Sequence, residues 1–152
     1  MNRRSIFSAG LVAMAVAPLF GRKAAAAPEK KLHKLAIHVD QNDPAIYRLA
    51  LGNARNVQEL YTSIGEMVAI EIVCYNQGLH MLRDDTSPVK EEIRATRAKV
   101  PQIAFAACNN TKRNMERAEG KTIPIIEEAV VVPAGVVRLV ELQEQGFKYV
   151  KP

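Results

Sequence analysis

Two short runs, Val68–Tyr75 (V-A-I-E-I-V-C-Y) and Gln102–Ala107 (Q-I-A-F-A-A), are apolar at nearly every position. A strand with one wet face alternates apolar and polar residues. A strand that is apolar throughout is covered on both faces, which is the condition inside a parallel sheet. Parallel neighbours need crossover connections, and helices are the usual ones. The rest of the chain supplies them. His33–Asp40 alternates Leu35, Ile37 and Val39 with polar or small residues and reads as a first strand. Asp43 is a good N-cap and Pro44 a good first residue for a helix over Ala45–Tyr61, where Ile46, Leu49, Ala50, Val57, Leu60 and Tyr61 recur at helical spacing. Asn76–Gly78 forms a loop, Leu79–Leu82 a short helical turn, and Pro88 opens a helix that runs to Lys99. A helix over Lys112–Glu119 ends at Gly120, a fourth strand spans Ala129–Val132, and a helix over Val136–Gln145 ends at Gly146 before a last strand, Phe147–Val150. Ile123–Glu128 shows no clear pattern. Five strands alternating with four helices predict a three-layer α/β/α fold with a mainly parallel five-stranded sheet. The expected strand order is 2-1-3-4-5 or a relative of 3-2-1-4-5. Glu71, inside the second run, needs a partner if it is buried.

The first 26 residues read as a leader. Arg3 and Arg4 precede an apolar, small-residue run from Ile6 to Phe20, and Ala24–Ala27 offers a cleavage site, with cleavage expected after Ala26. The paired arginines followed by Ser5, Ile6 and Phe7, with Arg22 and Lys23 after the run, point to the twin-arginine route. An uncleaved membrane anchor is the alternative. Removing 26 of the 152 residues leaves one domain, 27–152, large enough for an ordinary core and with no membrane attachment after cleavage. It also removes four of the 21 basic residues and no acid. The remainder carries 17 basic and 16 acidic residues, so the net charge of +5 belongs largely to the leader and no nucleic-acid footprint is expected.

The chemistry concentrates after the second apolar run. Cys108 follows it where such a strand emerges at its carboxyl end, and Asn109, Asn110 and Thr111 are candidate N-caps for the next helix. Ligands bind at this edge of open α/β sheets. A helix N-terminus favours thiolate over thiol, and Lys112 and Arg113 are expected to add positive potential. The same position equally suits a small buried residue closing the strand. Asp40 and Asn42 after the first strand, Tyr75 and Asn76 after the second, and His80 reach the same edge, where each by itself is also explained by capping, turn or solvated-loop chemistry. Cys74 reads as a packing residue, although a bridge to Cys108 is open to it if their strands are neighbours. His33, His38 and His80 lack metal-ligand spacing, and the chain has neither a phosphate-binding glycine loop nor a G-x-S-x-G motif, so neither metal nor cofactor is expected.

The segments H-V-D-Q-N-D-P (His38–Pro44), Y-N-Q-G (Tyr75–Gly78), A-A-C-N-N-T (Ala106–Thr111), V-P-A-G-V (Val132–Val136) and L-Q-E-Q-G-F-K-Y-V-K-P (Leu142–Pro152) resemble, in order, the DsrE/DsrF-like family. The resemblance covers nearly all of the mature chain. It implies a sulfur-handling protein, at most a carrier or transferase, with a persulfide on the cysteine after the third strand, by position Cys108. It implies exchange with small sulfur species or a partner sulfur-transfer protein, and a homo-oligomer, trimer or hexamer. Export sets the chain apart from the cytoplasmic relay proteins of that family and places the expected activity in the periplasm. The other expectations are a non-catalytic module binding a small anion or metabolite, and an oligomeric scaffold with the same fold.

Overall fold

The computed structural model describes residues 31–152; the leader expected at residues 1–26 lies outside them. The strands are β1 (Leu32–Val39), β2 (Met67–Cys74), β3 (Ile103–Cys108), β4 (Ala129–Val132) and β5 (Lys148–Val150). The helices are α1 (Pro44–Ser63), α2 (Lys90–Lys99), α3 (Asn109–Glu119) and α4 (Gly135–Glu144), and a 3-10 turn, Asn76–Leu82, follows β2. Asp43 caps α1 through its side chain, which accepts from Ala45 N at 2.8 Å, and Pro44 opens the helix.

All four strand pairings are parallel, and the order is β4-β3-β2-β1-β5. This corrects the expected order. The chain adds β2, β3 and β4 stepwise on one side of β1, then returns to place β5 on the other side. Right-handed crossovers put the three forward connections on one face and the returning α4 on the other. The two cores bear this out. Tyr47, Ala50, Leu51 and Ile93 pack with Ile37, Ile72, Cys74 and Phe105 on the first face, and Met115 joins them from α3. Leu139 and Leu142 pack with Ala36, Val73 and Ala106 on the second. Strand order depends on which edge each crossover reaches, and hydrophobic periodicity carries no record of that.

The α4 face holds the partner that Glu71 needs. Its carboxylate, 8% exposed as a residue, takes two hydrogen bonds from the Arg138 guanidinium, at 2.6 and 2.7 Å. The fork geometry satisfies both oxygens and ties the second turn of α4 to the middle of β2. Ile123–Glu128, unpatterned in sequence, crosses as a loop that buries Ile123 and Ile126 and bridges Ile125 to Arg83.

Candidate active site

The register sets the site. Val39, Cys74 and Ala107 are level across β1, β2 and β3. One residue further on, Asp40, Tyr75 and Cys108 form a row at the carboxyl edge on the α4 face, and Val132 extends it on β4. The same register decides the cysteine question. β2 and β3 are neighbours, but Cys74 is level with Ala107, one residue short of Cys108, so the two thiols point to opposite faces. Both are free. Cys74 is wholly buried in the α1-side core with its sulfur 3.9 Å from that of Met81, and burial pushes its thiol far above the ordinary range.

Cys108 is itself the N-cap of α3, in place of the three residues expected to compete for that role. Its sulfur accepts from Thr111 N at 3.5 Å. Burial opposes ionisation here, but it is outweighed by the Thr111 hydroxyl and the amides of Thr111, Gly135 and Asn110, which together hold the thiol below its ordinary value. The Thr111 hydroxyl accepts from Asn76 N at 3.0 Å, which leaves its own proton for the sulfur. Asn76 takes a left-handed backbone (φ 49°) at this point, a conformation that asparagine tolerates. Lys112 does not contribute as expected: its ammonium pairs with Glu116 at 2.5 Å.

Gly135 is part of the V-P-A-G-V segment, but the sequence does not mark it as a residue of the site. It begins α4, whose cap residue Ala134 provides no side-chain hydrogen bond, so the first amides of that helix lack an internal partner. Neither α3 nor α4 has an acidic residue in its first turn. The sulfur therefore lies where two helix N-termini converge from opposite faces, with no side-chain anion competing for their amides. Only glycine fits at 135, because a Cβ there would stand 2.8 Å from the Tyr75 ring. Cys108 lies just beneath the surface, 5% exposed.

The other end of the row is a polar cluster. His38, one turn of the pleat behind Asp40, stacks on Tyr75 with ring centroids 4.5 Å apart, and its Nδ1 is 2.8 Å from the Tyr149 hydroxyl. Lys151 Nζ donates to Asp40 Oδ2 at 2.7 Å. Burial lowers the His38 pKa against the pull of Asp40, and the Lys151 hydrogen bond lowers that of Asp40. Burial raises the Tyr75 hydroxyl, with Asp40 adding to it. Sequence reasoning missed His38, Tyr149 and Lys151. Their signal was polar residues at alternate positions near two strand ends, which share one face.

Two expected residues go elsewhere. Asn42 accepts from the buried Tyr47 hydroxyl at 2.8 Å and so serves α1. Burial lowers the His80 pKa, and its charged neighbours are Arg83, Glu119 and Asp85, at the far end of α3 from the thiol. Arg83, 1% exposed, holds that end together through Asp85 and Glu119. A surface hollow of about 850 Å³ also lies at that end, among Arg113, Glu116, Arg117 and Lys121, away from the reactive groups. Among the described residues no cluster of three or more histidine, cysteine or acidic side chains is placed to hold a metal ion.

No protein-family model matches this chain, and no curated protein does. Its structure is similar to the solved structure of MTH1491 from Methanobacterium thermoautotrophicum, described as a protein of unknown function. The sequences are 30% identical, the TM-score is 0.66, and the match covers 79% of this chain and 99% of that one. That identity, over almost the whole length of the other protein, places this chain in the family of MTH1491.

Proposed function

We propose that this is an exported sulfur-handling protein that carries sulfane sulfur as a persulfide on Cys108. The observation that supports it most is the cradle around the sulfur: the amides of Asn110, Thr111 and Gly135 and the Thr111 hydroxyl, all donors, in a partly dehydrated place. Such a cradle stabilises thiolate, and it also suits the persulfide anion that replaces it. In the loading step the Cys108 thiolate attacks the terminal sulfur of a donor R–S–SH. A new S–S bond forms at Sγ, the bond from that terminal sulfur to R–S breaks, and the departing R–S⁻ takes the proton. The products are Cys108–S–S⁻ and R–SH, with no outside oxidant or reductant. The 5% exposure of Cys108 favours a small donor. Unloading runs the same exchange onto a small thiol or a partner protein.

The leader at residues 1–26 supports a periplasmic location, and the ordered resemblance to DsrE/DsrF-like proteins supports the sulfur chemistry. Val130, Val136, Val137 and Val140 are each at least half exposed, which supports assembly into a homo-oligomer. The test is intact mass after incubation with polysulfide. A gain of about 32 Da, one sulfur atom, is expected on the wild type and not on Cys108→Ser. No adduct, or an equal one on the variant, ends the proposal. The slight exposure of Cys108 also favours a second reading, a non-catalytic module that binds a small anion in this cradle. Stabilisation by such an anion that survives Cys108→Ala identifies that case.

A further inference from the structure

Two polar atoms in the cluster beside Cys108 have no partner. His38 Nε2 and Asp40 Oδ1 are both buried and both lack a hydrogen bond, although His38 is only 5% exposed. Leaving such atoms unpaired is costly, and in native proteins they are normally satisfied by a water or a ligand. They belong to neighbouring side chains of one small polar cluster. Nε2 is 3.9 Å from the other oxygen of Asp40, Oδ2, which is committed to Lys151. The cluster lies between β1 and β5 at their carboxyl ends, on the edge of the sheet at which open α/β folds bind ligands.

The chemistry of the two atoms defines what fits. A carboxylate 3.9 Å from Nε2 favours the proton on that nitrogen, with the Tyr149 hydroxyl donating to Nδ1. Nε2–H then needs an acceptor, and Asp40 Oδ1 needs a donor. One group that does both is a hydroxyl. We infer that His38 and Asp40 form a binding subsite, separate from the thiol, for the hydroxyl of a small uncharged ligand. The frame around it is stiff. Gly78 lies so close behind that a Cβ there would fall 2.1 Å from the Val39 carbonyl oxygen and 2.7 Å from Asp40 N. Tyr75 stacks on one side of the imidazole and Tyr149 holds its other nitrogen. The ion pair with Lys151 fixes the carboxylate so that Oδ1 is the oxygen left over.

The inference does not depend on persulfide chemistry, and its test avoids it. The ring nitrogens of the three histidines are followed by 15N NMR while the protein is titrated with glycerol, an uncharged, redox-inert probe with three hydroxyls. A saturable shift of His38 Nε2 is expected, with His33 and His80 unmoved as internal controls. Asp40→Asn, which puts an amide in place of the carboxylate, should weaken that response about tenfold. A shift that rises linearly with glycerol, one shared by all three histidines, none at all, or an undiminished response in Asp40→Asn means that only water occupies the place, and overturns the inference.

Discussion

Replacing Arg138 with methionine removes the cation facing Glu71 while keeping most of the apolar stem. The Glu71 side chain is 10% exposed and takes its two hydrogen bonds from the Arg138 fork, at 2.6 and 2.7 Å. A buried carboxylate stripped of its partner costs about 3–5 kcal/mol. The Arg138 side chain is 27% exposed, so water reaches part of the vacated place and the lower end applies, about 3 kcal/mol. In a domain of this size that is about 10 °C in Tm. Pairing the change with Glu71→Leu removes both charges and should recover most of the loss. The effect should also reach the site. Arg138 sits one turn into the helix that begins at Gly135, whose amide faces the Cys108 sulfur, so a loosened α4 should raise the pH midpoint of Cys108 alkylation. Urea unfolding followed by far-UV circular dichroism measures the first effect, and alkylation rate against pH the second. A loss under about 1 kcal/mol, the range of exposed ion pairs, would refute the idea that a buried pair anchors α4. So would a double variant no more stable than the single.

Thr111→Val should raise the Cys108 alkylation midpoint by about one unit, the worth of one hydrogen bond to an anion, whereas Thr111→Ser should leave it in place. Gly78→Ala should cost more than about 3 kcal/mol in urea unfolding, because its Cβ would meet the β1 backbone at 2.1 Å, while Gly65→Ala, with φ +76° but open space around it, should cost about 1 kcal/mol. His38 and His80 both titrate below the ordinary value of 6.5 because they are buried, so the folded protein binds fewer protons than the unfolded chain. Stability should therefore fall as pH drops below 6.5 and level off from this source once the folded values are passed. Denaturation midpoints measured across that window should fall less steeply for His38→Gln/His80→Gln.

Much of the fold was legible because its signals are local. The apolar runs at β2 and β3 marked covered parallel strands, Asp43 and Pro44 marked the start of α1, and Gly120 and Gly146 marked helix ends. Strand order was not legible, and half of the candidate site depends on it. Thr111 and Asn110 follow Cys108 directly in the chain and were found. Gly135 reaches the sulfur only because β4 pairs beside β3 and α4 returns over the opposite face. His38 and Tyr149 are 111 positions apart and meet only because β5 pairs with β1. The cysteine pair shows how fine the dependence is. Neighbouring strands would permit a bridge, and an offset of one residue in register sends the two sulfurs to opposite sides.

Everything proposed for the thiol requires that Cys108 ionise early and be reachable in the folded protein. The direct measurement is its rate of reaction with a small alkylating agent as a function of pH, with the modified residue identified by mass. One reactive thiol is expected, Cys108, with a midpoint below the ordinary cysteine value of about 8.5, and Cys74 silent until the protein unfolds. A Cys108 that reacts only after unfolding, or with a midpoint at or above that value, contradicts the account.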